Sequence, residues 1–311
     1  LAVGGGFGTF IPLMSAANNW FVRRRALAMS ILQVGFSAGA IIAPALALAI
    51  TTMGWRTTTF GLGVIVLILA IPISRIIRNR PEDYGLQPDG IVLDKSTKSE
   101  DKSSRTSKIS QADFTVRQAL HTRAFWFIAI NHAVSAMAAV VVSAHAALLL
   151  TDVNELNYGP QLSIQLAAAA IAVFGVSGAF FQIIGGYIGS RVRLTWAIFV
   201  FSTIQGVALM VAAVAQDLYA SFLFAILFGI GWGGRGPLVL AIRGEYFGRK
   251  SFGILLGISG IIMNAAMIFG PLFAGFMRDN LGTYRDPFLI LGSITILGAF
   301  AILFAKRPSL V

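Results

Sequence analysis

Apolar residues run along the chain in long blocks separated by short polar breaks. Nine blocks are long enough to cross a bilayer, whose hydrocarbon core takes about 20 mostly apolar residues per helix. They cover 1–18, 26–50, 57–77, 124–150, 161–189, 194–215, 218–242, 252–277 and 286–305. They are too long for strands and lack the alternation of barrel strands, so the pattern predicts an all-α membrane protein. One stretch differs in kind. Residues 78–123 are polar and carry STKSEDKSSRTSK at their centre, the composition of a flexible linker between three spans and six. At its end Thr115 and Gln118 have the spacing of a capping box, with Phe114 and Ala119 as a hydrophobic staple. A short surface helix is expected there, leading into the span near Phe125.

The chain also repeats itself. A shift of 225 residues, from the numbering, brings Gly4, Gly6, Gly8, Pro12, Leu13 and Ala16 onto Gly229, Gly231, Gly233, Pro237, Leu238 and Ala241. Arg24 and Arg25 meet Arg249 and Lys250, and Trp55-Arg56 before Phe60 echoes Tyr284-Arg285 before Phe288. The first span therefore corresponds to the seventh. Since three spans lie between the linker and the seventh, symmetry places three before the first, and the expectation is an N-terminally truncated member of a six-plus-six protein. Two halves of like orientation suit a parallel repeat.

Composition agrees: 56% of the 311 residues are hydrophobic and 12% charged, against roughly 25% charged in soluble domains. The net charge of +11 would suggest nucleic acid in a soluble protein. Here the cations sit in alternate loops, so anionic lipid is the expected partner and nucleic acid is not. With the loop after the first span inside, inside loops hold 20 of the 24 Lys and Arg, and outside loops hold Arg56, Arg278 and Arg285. This bias predicts a multi-pass cell-membrane protein with linker and C-terminus cytoplasmic. There is no cysteine, which excludes disulfides and thiolate sites.

Several stretches then resemble a known family. Two six-helix halves around a charged central loop, with basic loops after the fourth and tenth helices, resemble the major facilitator superfamily. NWFVRRRALA, RPEDYGLQPDG, AFWFIAI, RGEYFGRKSFG and GPLFAGFM resemble its monocarboxylate and oxalate/formate antiporter-like branch. The resemblance implies nine of twelve transmembrane helices: 1–77 holding helices four to six, 78–123 the cytoplasmic linker, and 124–311 helices seven to twelve. It implies a secondary transporter rather than an enzyme, working by alternating access on a small organic anion such as a monocarboxylate. A drug/proton antiporter is the alternative, and a polytopic receptor or enzyme a remote one. The partners expected are the substrate, a coupling ion or proton, and the bilayer, with the protein a monomer and no cofactor or metal. In two places the chain departs from the branch. Ser190 in GGYIGSRVR stands where Asp is usual. The fifth span and the interior of the eighth lack the basic residue common in carboxylate-transporting relatives.

Arg235 is the one basic residue well inside a span. An intramembrane cation usually faces water or a partner, so it is a candidate to bind a substrate carboxylate or else a snorkelling residue. Its repeat mate is Phe10, so the shared architecture does not ask for charge. Asn131, Ser135, Ala138, Val142 and His145 share one face of the fourth span. That face is read as cavity lining, or as interhelical hydrogen bonding; His132 lies about 100° round from it. Gln33 and Asn264 are further lining candidates, as is Gln182. At the inner end Arg24, Arg191, Arg193, Arg243, Glu245 and Arg249 form a candidate cytoplasmic gate, with Glu245 pairing Arg191 or Arg193. Gly229-Ile-Gly231-Trp-Gly233-Gly234 matches a dinucleotide fingerprint, but no strand precedes it. Close helix–helix approach is the expected reason for these glycines.

Overall fold

A computed structural model describes residues 10–90, 113–151 and 159–309, with side chains at 36–48 left aside. Helices α1 (Phe10–Trp20), α2 (Arg25–Met53) and α3 (Trp55–Ile76) precede the linker. They are followed by the short α4 (Val116–Leu120) and then α5 (Arg123–Thr151), α6 (Ile164–Gly189), α7 (Leu194–Val214), α8 (Leu218–Phe247), α9 (Phe252–Leu281) and α10 (Arg285–Leu303). Seven of them, α3 and α5 to α10, are long and apolar enough to cross a membrane. The chain is an all-helical, multi-pass bundle.

Helix α8 is its axis, packed against α6 and α7, while α10 packs on α7 and α9 on α5. Helix α2 lies against α6 and α8, and α1 against α9, so the first three helices meet the last six along one seam. The glycine-rich stretch of α8 explains how closely its neighbours approach. A methyl group on Gly231 would lie 2.5 Å from the backbone nitrogen of Gln205 in α7, and Gly233 faces the backbone of Gly178 in α6. The glycines serve helix contact, as their position within an apolar span suggests.

The linker is not uniformly loose. The central run 96–108 lies outside the described residues, but both flanks are pinned. Thr115 and Gln118 form the reciprocal capping box, and Phe114 and Ala119 are buried beneath it. At the other flank two 3-10 turns, Glu82–Tyr84 and Pro88–Gly90, dock on the bundle. The Asp89 carboxylate accepts from the backbone N–H groups of Val22 and Arg23 at 3.2 and 2.9 Å. The Trp20 indole donates to the Arg78 carbonyl at 2.8 Å. A polar composition reads as a loose linker; these bonds to a distant loop replace water with fixed partners.

Candidate functional site

Two cavities and an ion-paired cleft lie on the seam between the two sets of helices. One of the cavities, about 590 Å³, is walled by α1, α2, α5, α6, α8 and α9. Arg235 on α8 stands in its wall beside Gln33 of α2, His132 of α5, Gln182 of α6 and Asn264 of α9. Most of the remaining wall is apolar, including Phe10, Phe174, Trp232 and Met267. Gln33 lies 8 residues into α2, His132 9 into α5, and Arg235 12 from the end of α8. At 1.5 Å per residue that is about 12–18 Å from the end where the basic loops gather, near the middle of a bilayer core about 30 Å thick.

Arg235 is 0% exposed, and none of its three guanidinium nitrogens has a hydrogen-bond partner among the described residues. Its guanidinium lies 5.4 Å from the Trp232 ring centre, a cation–π contact. One aromatic face does not supply the acceptors that five N–H donors demand. Gly236 follows it in the wall, and the absence of a side chain there lets the Gln33 amide lie directly against α8.

Arg243, assigned above to the gate, is a cavity-supporting residue instead. It is 1% exposed and donates to the Val239 carbonyl and to His132 Nδ1, each at 3.0 Å. A guanidinium can only donate, so Nδ1 of His132 carries the lone pair and Nε2 carries the proton. His132 is thereby a neutral ring with a donor N–H to spare, in the cavity wall.

The polar face of α5 chosen from the sequence does not line this cavity. The Asn131 amide donates to Ser202 Oγ at 3.2 Å and to the Gly298 carbonyl at 3.0 Å. Ser135 donates to the Gln205 side chain, which returns a bond to the Ser135 carbonyl at 3.1 Å. His145 Nε2 donates to the Pro271 carbonyl at 3.1 Å, and Nδ1 accepts from the Tyr284 hydroxyl at 3.2 Å. All three side chains join α5 to α7, α9 or α10. The cavity is lined by the neighbouring face: His132, Ala136, Ala139, Val140 and Ser143. Their spacing of i, i+4, i+7, i+8, i+11 is as regular as the first stripe. It carries fewer polar groups, so polarity alone selects the wrong face.

The gate residues separate as well. Arg249 pairs with Glu82 at 2.7 Å and donates to the Asn19 carbonyl at 3.0 Å. The backbone N–H groups of Arg249 and Lys250 donate to Asp113 at 2.7 and 3.3 Å. Glu245, Arg191 and Arg193 share a different cavity, and no ion pair joins Glu245 to either arginine among the described residues. Arg24 is exposed at the turn before α2. Glu82 and Asp113, the acids that take part, both lie in the linker, where a residue's partner cannot be read from helical spacing.

Burial raises the Glu82 pKa, but its backbone hydrogen bond, the bond from Arg249 and the charges of Arg249 and Arg80 outweigh this and hold it below 4.5. A carboxyl lowered on pairing contributes fully above its ordinary value, and the contribution is lost as pH falls through the lowered one. The pair is half-exposed, worth about 1 kcal/mol or less. Arg249→Gln is therefore expected to open the basic end up to about five-fold more often, read as faster alkylation of a cysteine placed at Ala26. In the Ala26→Cys protein that keeps Arg249, the rate divided by the thiolate fraction stays flat from neutral pH down to about 5 and rises below that. A corrected rate that climbs between pH 8 and 6 would rule out Glu82 as part of the closure.

A family model described as the Major Facilitator Superfamily matches residues 1–234 and again 133–310. The chain belongs to the major facilitator superfamily. Among curated superfamily members it is similar to monocarboxylate transporter 11 of Homo sapiens, 27% identical over 97% of this chain and 61% of that one. It is also similar to the hexuronate transporter of Bacillus subtilis strain 168, 22% identical over 94% of this chain and 68% of that one. The chain thus spans about three-fifths of the length of the human relative. Among solved structures it resembles the fucose:proton symporter of E. coli, with a TM-score of 0.68 at 12% identity, covering 95% of this chain and 74% of that one. At that identity the likeness supports the superfamily fold.

Proposed function

We propose that the chain forms part of a secondary transporter that moves a small organic monoanion with an apolar body by alternating access. The observation that carries this reading is Arg235, a guanidinium without an acceptor among the described residues, in the wall of a mid-depth, largely apolar cavity. An intramembrane arginine costs about 2.5–3.5 kcal/mol or more, and a substrate carboxylate supplies the missing acceptors and offsets that cost. The His132 Nε2–H is a second donor. Arg243 is already committed to His132 and Val239, so one cation serves the ligand, which favours a single negative charge. The apolar wall favours a hydrocarbon or aromatic body over a polyhydroxylated one.

The name of the human relative, monocarboxylate transporter, agrees with this preference; that of the hexuronate transporter supports a sugar acid as the second reading, for which Gln33, Gln182 and Asn264 supply hydroxyl partners. The basic end is taken to face the cytoplasm. There the Glu82–Arg249 pair and the close approach of Ala26 to Gly189 are the contacts that would part when that end opens. The test is competition for uptake of a labelled aromatic monocarboxylate by the full-length protein in proteoliposomes. Unlabelled branched or aromatic monocarboxylates should compete, and hexuronates and dicarboxylates should compete at least about ten-fold more weakly. Stronger competition by hexuronate would transfer the reading to sugar acids.

A further inference from the structure

Arg243 is buried where burial is avoidable. It lies 4 residues before the end of α8 at Phe247, about 6 Å from the basic end at 1.5 Å per residue. A cation so placed ordinarily reaches outward to water and headgroups. Here the side chain turns the other way. It is 1% exposed, and its guanidinium donates back to the Val239 carbonyl, one turn deeper, and across to His132 Nδ1 on α5, each at 3.0 Å. The inward turn follows the tilt of helical side chains toward the N-terminus. It also brings a second cation to act on Arg235, and like charges repel. No acid pairs with Arg243 among the described residues.

The gain lies at His132. A neutral imidazole has one donor and one acceptor nitrogen, and the bond made by one nitrogen decides the role of the other. The charged groups acting on His132 are Arg243 and Arg235, both cations on α8, and no acid is among the residues that line the cavity. A ring with a second proton would face two cations, whereas the neutral ring accepts the Arg243 N–H. An unfastened ring could turn its bare nitrogen toward a carboxylate, where lone pair meets lone pair. The fastened ring cannot.

We infer that Arg243 is a positioning residue for the anion site and acts through His132: by occupying Nδ1 it fixes the ring and keeps the proton on Nε2, so that His132 meets the ligand as a donor only. This rests on the reading of the cavity as an anion site. Arg243, His132 and Arg235 all lie on α5 and α8, within the last six helices, so the donors keep their spacing while those helices move against the first three.

The first arm of the test needs no substrate. The full-length protein is labelled at histidine in nanodiscs, and ring carbon and nitrogen shifts in solid-state NMR read which nitrogen carries the proton. The His132 signals are those lost in His132→Phe. The unsubstituted protein and Arg243→Lys, which still donates, should show the Nε2–H form alone. Arg243→Met has the length without the donor and should show the Nδ1–H form as well. Replacing a buried cation by an apolar side chain should leave the fold intact, with the size-exclusion profile as the check and Arg243→Leu in its place should the Met variant aggregate. The Nδ1–H form in the unsubstituted protein, or the Nε2–H form alone in the apolar variant, would overturn the inference.

The second arm measures uptake of a labelled aromatic monocarboxylate into proteoliposomes. His132→Phe should raise the half-saturating concentration about ten-fold and Arg243→Met at least about three-fold, with the maximal rate changed less than about two-fold. Arg243→Lys should restore most of the loss, and the double variant should be no worse than His132→Phe alone. Additive losses would overturn the role through His132 and leave the anion site intact. Normal uptake by Arg235→Gln would overturn the anion site and this inference with it.

Discussion

Arg235→Gln is expected to lower uptake of an anionic substrate by about 100-fold or more, with the protein still folded. The magnitude follows from removing one partner of a buried, hydrogen-bonded charge pair, about 2–5 kcal/mol; at 1.4 kcal/mol per factor of ten, about 3 kcal/mol is roughly 100-fold. The fold should survive because the guanidinium holds no described protein acceptor, so its loss breaks no internal hydrogen bond. It also removes a buried charge, which by itself favours stability. Arg235→Lys keeps the charge but loses the planar fork, and an intermediate loss of about ten-fold is expected. The measurement is initial uptake of labelled monocarboxylate into proteoliposomes, with the size-exclusion profile as the check on folding. Normal uptake by the Gln variant would show that the substrate does not use Arg235. A collapsed size-exclusion profile would instead make Arg235 a structural residue.

The largest effect on folding is expected from Gly231→Val. A side chain at this position meets the Gln205 backbone nitrogen at 2.5 Å, and backbone cannot move aside by changing rotamer. Overpacking of a well-filled interior costs about 1–3 kcal/mol, occasionally more. Because α8 meets α7 through Gly231 and α6 through Gly233 on the other side, the strain falls on the axis of the bundle. Whole-protein stabilities are about 5–15 kcal/mol, so a loss at the upper end removes a large fraction. The variant should therefore lose its monodisperse peak in detergent, or melt at least several degrees lower. Gly257→Val is the control, since nothing lies within 4 Å of a methyl at Gly257. If the two variants behave alike, close approach at Gly231 is not what the glycine provides.

The features legible in the sequence are those set by local composition or short spacing. Apolar length fixed the class of the protein because a bilayer accepts no unsatisfied backbone. The capping box at Thr115 and Gln118 was readable because both partners lie within one helical turn. The glycines of α8 were readable as a contact face because glycine inside an apolar span has little other use. Arg235 could be singled out because a lone buried cation is costly wherever it lies.

Tertiary structure decided which groups meet. Two faces of α5, about 100° apart, are equally regular, and only the positions of α1, α6 and α9 determine which one borders the cavity and which is sealed against α7 and α10. The partner of Arg249 is Glu82, 167 residues away, and that of Arg243 is His132, 111 residues away; no periodicity spans such distances. A polar side chain in a membrane helix gains nearly as much from a neighbouring helix as from a water-filled cavity. The sequence therefore determined that polar groups must be satisfied, and the packing of the bundle chose the partner.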